Sequence, residues 1–117
     1  MITMYFAGNF GIHLFLHSDA LVETPENAFR FFTVGAMVEA YEANPEYIDE
    51  VTLYSGGEVH GAPGINFLIW LQDKISENPD YPFPKTLTVR TEFPEVMREM
   101  DRLMISIAEL RKRDEKG

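Results

Sequence analysis

Three observations predict a single three-layer α/β domain, with a mostly parallel sheet of four to five strands and helices on both faces. Short apolar runs alternate with segments of helical periodicity, an order that implies parallel strands joined by right-handed crossovers. The first run, Ile12 to Leu16, is apolar except for His13, as a strand covered on both sides is. The chain has 117 residues, of which 45% are apolar and 13% aromatic, enough for one packed core. Residues 1–110 read as the domain and 111–117 as a charged tail that frays.

Each element has a local reason. Residues 2–6 suit a strand, with Ala7-Gly8-Asn9 as the turn. Ile12 to Leu16 is a strand closed by His17-Ser18-Asp19. Asp19 to Asn27 is loop, broken at Thr24-Pro25. Phe29 to Phe32 is the next strand. Thr33 then caps a helix through its hydroxyl. Val34, Met37, Val38 and Tyr41 fall on one helical face, and Glu39 and Glu42 on the other. Asn44-Pro45 ends that helix, because proline disfavours the α conformation in the residue before it.

Val51 to Tyr54 is a strand, broken by Ser55-Gly56-Gly57, and the loop continues through Gly61, Pro63 and Gly64. Ile65 to Ser76 is a helix apolar on most sides, stopped at Asn78-Pro79. Thr86 to Arg90 alternates with period two, as a strand with two unlike faces does. Pro94 suits the first turn of a last helix. Its apolar stripe is Val96, Met97, Met100, Leu103, Met104, Ile107 and Leu110. Glu95 and Glu99 near its start and Arg111 to Arg113 near its end both favour the helix dipole.

Composition narrows the partners. Nineteen Asp and Glu against ten Lys and Arg leave a net charge of −9, which argues against general nucleic-acid binding and against an anionic membrane surface. No cysteine is present, so disulfides, thiolate zinc sites and cysteine nucleophiles are excluded. That usage fits a reducing cytoplasm. The N-terminus lacks a basic region and its apolar run is interrupted, which argues against a signal peptide. The densest apolar stretch, Ile65 to Leu71, is far short of the ~20 residues a bilayer requires.

The chemistry-bearing residues gather at predicted strand ends, where sheets of this class bind ligands. These are His17 and Ser18 after the first strand, Tyr54 and Ser55 after the third, and Arg90 and Thr91 after the fourth. Ser55 to Glu58 resembles an anion-binding backbone nest, with Arg90 as a cationic partner. No resident metal or other cofactor is expected. The nearest approach to a metal site is His17 with His60, helped by Glu58 or Asp19, at a spacing that matches no standard motif. Serine, histidine and aspartate adjoin at 17–19, but adjacent strand-end residues point different ways and make no triad. Met97, Met100 and Met104 fit core packing, or a partner groove if the last helix is exposed. Glu39, Glu42, Glu46 and Asp49 lie in the densest acidic stretch, Glu23 to Glu50. With the loop aromatics Tyr47, Tyr81 and Phe83 they are interface candidates; the plainer alternative is that the aromatics plug the sheet ends.

The runs Leu14-Phe15-Leu16-His17-Ser18, Phe32 to Glu39, Leu53 to Glu58, Gly64 to Leu71 and Val89-Arg90-Thr91 together resemble a known family. It is the receiver domain of response regulators, a flavodoxin-like fold, and more narrowly its cyclic-phosphate-processing branch. The resemblance spans residues 12–107 and rests on apolar spacing. The branch has an acidic pair where this chain has His17 and Ser18. It has Asp-His-Asp where this chain has Tyr54, Ser55 and Gly56. It has His-Ser where this chain has Arg90 and Thr91. Receiver chemistry needs carboxylates to hold Mg²⁺ and an aspartate to accept phosphate. The resemblance therefore implies a receiver-like scaffold without receiver chemistry.

The expected function is a non-catalytic, acidic protein-interaction module, an adaptor or inhibitor of the kind phages and mobile elements carry. The alternative is a site for a phosphorylated or cyclic nucleotide at the strand ends. A third reading is a phosphodiesterase-type enzyme with a rebuilt site.

Overall fold

A computed structural model describes residues 12–17, 23–24, 26, 28–43, 45–55 and 62–115, without the side chains of 113–115. The elements run β1 (Ile12–Leu16), β2 (Ala28–Phe31), α1 (Val34–Ala43), a 3-10 turn (Pro45–Tyr47), β3 (Ile48–Tyr54), α2 (Pro63–Glu77), β4 (Thr86–Arg90) and α3 (Pro94–Glu115). The four strands form one all-parallel sheet in the order β2-β1-β3-β4. That is the flavodoxin-like strand order over its first four positions. The α/β class expected from the alternation is therefore observed. The expected strand at 2–6 lies outside the described residues.

Local chemistry explains most boundaries. The Ala36 N–H donates to Thr33 Oγ1 at 3.3 Å, so Thr33 caps α1 as its hydroxyl predicts. Pro63 occupies the first turn of α2, where a missing N–H costs nothing. Several boundaries differ from expectation. α2 begins at Pro63, so it takes in Pro63 and Gly64 of the expected loop. β2 stops at Phe31, and Phe32 is 51% exposed in the bend before α1. β3 begins at Ile48, earlier than its apolar run, because Ile48 pairs with Ile12 of β1. α3 continues to Glu115, over most of the segment read as a fraying tail; there the Arg111 guanidinium lies 4.0 Å from the Phe83 ring centroid.

Strand periodicity sorts the sheet into two unlike faces. Residues aligned in a parallel register share a face. Leu14 aligns with Phe29 and Val51, and Val51 with Leu87; Leu16 aligns with Phe31 and Leu53, and Leu53 with Val89. All eight are apolar and lie in or against one core. The same core takes Met37 and Tyr41 from α1, Phe67 and Leu71 from α2, and Met100 and Ile107 from α3. The crossovers from β2 to β3 and from β3 to β4 run in the same direction along the sheet. Right-handed connections therefore place α1 and α2 on one side. Helices on the second face, part of the three-layer expectation, are not confirmed among the described residues. That face carries His13, Phe15, Arg30, Glu50, Thr52, Thr88 and Arg90.

Candidate functional site

From β1 the chain passes to β2 on one side, while β3 lies on the other. The crevice beyond the carboxyl ends of β1 and β3 is the switch point, where a doubly wound sheet takes its ligand. His17 and Tyr54 meet there, their ring centroids 4.4 Å apart and their planes at 71°. His17 is 5% exposed, and its main-chain N–H donates to the Phe31 carbonyl at 3.0 Å. The two rings thus meet edge to face, a geometry aromatic pairs prefer.

Ser55 is fully buried and engaged through both its main chain and its side chain. Its N–H donates to the Arg90 carbonyl at 2.9 Å. Its Oγ accepts the Gly64 N–H at 2.6 Å. The residue at the N-cap of α2 is Ala62, which has no side-chain acceptor. The first turn of a helix leaves N–H groups without intrahelical partners, so Ser55 serves as a cap supplied from β3. Gly64 is what admits it. A Cβ there would stand 2.3 Å from Ser55 Oγ and 3.0 Å from Met100 Cε. Ser55 and Gly64 therefore lock the end of β3 to α2, a role that sequence spacing did not suggest.

The other pocket candidates spread outward. Arg90 is exposed and aligns with Tyr54 on the second face. Thr91 is half-buried, and its Oγ1 accepts the Phe93 N–H at 3.2 Å, which turns the chain into α3. Ser18 lies outside the described residues, as do Gly56, Gly57 and Glu58 of the expected nest. Asp19 and His60 lie outside them too, so the His17–His60 pairing is not described. Among the described residues no three histidine or acidic side chains come together to hold a metal ion.

A second polar cluster was not anticipated. His13, at the centre of the sheet, sets Nε2 3.1 Å from Thr52 Oγ1. Its Nδ1 lies 3.2 Å from Glu50 Oε2, close enough for an ion pair but outside hydrogen-bonding angles. The signal for it was the period-two spacing of Glu50 and Thr52, which puts both on one strand face.

The interface candidates divide. Glu39, Glu42 and Glu46 are exposed, and Tyr47 is 55% exposed. Asp49 is half-buried and lies 3.6 Å from Lys85 Nζ. Tyr81 and Phe83 are half-buried against the core. Tyr81 stacks on Tyr41 with centroids 6.2 Å apart, and the Tyr41 hydroxyl donates to the Pro82 carbonyl at 2.7 Å. Tyr41, Phe67, Trp70 and Tyr81 form one aromatic cluster that closes this end of the core. Burial pushes the Tyr41 phenol well above its ordinary range, with Tyr81 adding to the shift and Arg111 opposing it. The Tyr81 phenol is raised by burial and then by Glu42.

Charge is divided along the chain as sharply as polarity is across the sheet. Residues 1–73 hold ten acids and a single arginine, Arg30. Residues 74–117 hold nine acids and nine lysines and arginines. The whole net charge thus belongs to the first part, which includes β2, β1, α1 and β3.

No family model, no curated protein and no solved structure matches the chain.

No helix among the described residues is long and apolar enough to cross a membrane.

Proposed function

We propose that the chain is a non-catalytic interaction module, receiver-like in organisation, that binds a protein partner through its acidic surface. The observation that carries this reading is the state of the switch point. Ser55 is fully buried and its Oγ is taken by the Gly64 N–H, while His17 and Tyr54 fill the neighbouring space with each other. Ser55 and His17 are buried in the sheet end, and only Tyr54 of the three is half-exposed. Catalysis needs a nucleophile, acid or base that can reach substrate. The exposed acids Glu39, Glu42 and Glu46 beside exposed Tyr47 offer what a basic partner recognises: charge for steering and an aromatic ring for contact.

Two measurements test the reading. Immobilised wild type retains a basic protein from an extract of its source at low salt and releases it as salt rises. The Glu39→Lys, Glu42→Lys, Glu46→Lys variant retains none of it. Equal retention by the two proteins defeats the proposal. Thermal melts with cyclic and phosphorylated nucleotides, with and without divalent metals, address the strand-end alternative. A concentration-dependent rise in melting temperature that Arg90→Ala abolishes would replace the interaction reading with a ligand site.

A further inference from the structure

We propose that His13 and Glu50 form a two-residue site for a zinc-type divalent cation on the polar face of the sheet, with water completing the coordination. His13 is 7% exposed, and its Nδ1 is a buried nitrogen with no hydrogen-bond partner. A buried polar atom left alone costs stability, so such atoms are nearly always met by something. What faces this one is the Glu50 carboxylate, with Oε2 at 3.2 Å.

The geometry suits a shared metal better than a shared proton. A proton is held along a nearly straight N–H···O line, and Oε2 lies off that line. A metal bound along the Nδ1 lone pair takes its next ligand at a wide angle to that bond. Zinc bonds imidazole nitrogen and carboxylate oxygen at about 2.1 Å, so tetrahedral coordination sets the two ligand atoms about 3.4 Å apart. The observed separation is close to that. The other ring nitrogen fits the same role, since Nε2 lies 3.1 Å from Thr52 Oγ1. With its proton on Nε2 and donated to Thr52, the ring turns a bare lone pair toward the carboxylate. A metal-bound histidine is oriented in this way by a partner on its second nitrogen.

Charge and access agree with this assignment. Ala28 and Thr86 flank the pair in register on the same face, and neither is charged. Arg30, one row further along, is turned to Thr24 and Phe32. Among the described residues no lysine or arginine forms a salt bridge with Glu50. Its side chain is 51% exposed, so a cation and its waters reach the pair from solvent. Imidazole beside carboxylate favours zinc over magnesium or calcium, which take oxygen ligands. Two side chains make an open site from which the metal exchanges, and the site does not rest on the interaction reading.

Calorimetric titration of the full chain with zinc chloride, and separately with magnesium chloride, tests the assignment. Wild type is expected to take up a single equivalent of zinc and no magnesium, and to melt at a higher temperature with zinc present. Glu50→Gln changes a half-exposed side chain, so it should fold as wild type does and lose both effects. His13→Gln should lose them as well. Thr52→Val removes the hydroxyl that orients the ring and should weaken zinc binding about tenfold. Glu50→His supplies a second imidazole and should restore the binding that Glu50→Gln loses. A folded wild type that takes up no zinc at millimolar concentration overturns the proposal. So does uptake that Glu50→Gln and His13→Gln both retain, the metal then residing on other side chains.

Discussion

The two faces of the sheet are built from the same strands and obey opposite rules. One presents Leu14, Leu16, Phe29, Phe31, Val51, Leu53, Leu87 and Val89 to three helices. The other presents His13, Phe15, Arg30, Glu50, Thr52, Thr88 and Arg90. The first is apolar throughout, as the interior of a parallel sheet is; the second is mostly polar, although His13 and Phe15 on it are buried as well. The difference shows that an apolar and a mostly polar surface are held on opposite sides of one layer, one residue apart along each strand.

The largest expected effect lies on the apolar face. Leu14→Ala should cost about 3 kcal/mol in chemical denaturation, through lost burial and the cavity left behind. Thr52→Ala, next to it across the sheet, should cost about 1 kcal/mol, the value of the lost hydrogen bond to His13. Equal losses at the two positions would break the comparison.

The lock at the end of β3 sharpens it. Gly64→Ala should cost about 2 kcal/mol, because a Cβ collides with Ser55 Oγ and crowds Met100. Ser55→Ala should cost about 1 kcal/mol, as loss of a helix cap does. The double variant should be more stable than the sum implies, since removing the hydroxyl makes room for the methyl. Additive costs would mean that the two residues act separately.

Alkaline pH probes the aromatic end of the core. Tyr41 holds its proton more tightly folded than unfolded, so the folded state binds more protons once the unfolded phenol ionises near pH 10. Its contribution is complete below that pH and is lost as pH rises toward the folded value. Tyr41→Phe should cost about 1 kcal/mol at neutral pH, through loss of the bond to Pro82, and should flatten the alkaline decline. Denaturation midpoints from pH 8 to 11 read both effects.

The smallest effect belongs to the surface of α3. The Arg102 Nε lies 3.1 Å from Glu99 Oε1, and the bond holds the Glu99 carboxyl below its ordinary range. Both groups face water, where such pairs contribute little. Arg102→Ala should leave the denaturation midpoint unchanged within error.

Much of the fold was legible because its signals are local. Thr33 capping α1 and Pro94 opening α3 depend on residues a few positions away. The period-two pattern from Thr86 to Arg90 gave β4 its bounds directly. The candidate site was legible only as a place. His17, Tyr54 and Ser55 are at the strand ends as spacing suggested, but the pairing of their side chains was not readable. Ser55 looked like part of a glycine-rich turn because its acceptor role depends on Gly64, on another element. Tyr81 and Phe83 looked like loop aromatics because Tyr41 and Arg111, which receive them, lie far away in the chain.

Sequence by itself determined the alternation of strands and helices, the limits of β1, α1 and β4, and the concentration of acid in the first part of the chain. Those properties follow from dihedral preference, side-chain period and composition, which act over a few residues or simply add up. Tertiary structure alone decided that β1 sits between β2 and β3, that one sheet face takes all three helices into its core, and that Ser55 caps a helix it does not belong to. Those outcomes depend on which distant surfaces exclude water together, and no local pattern encodes that choice.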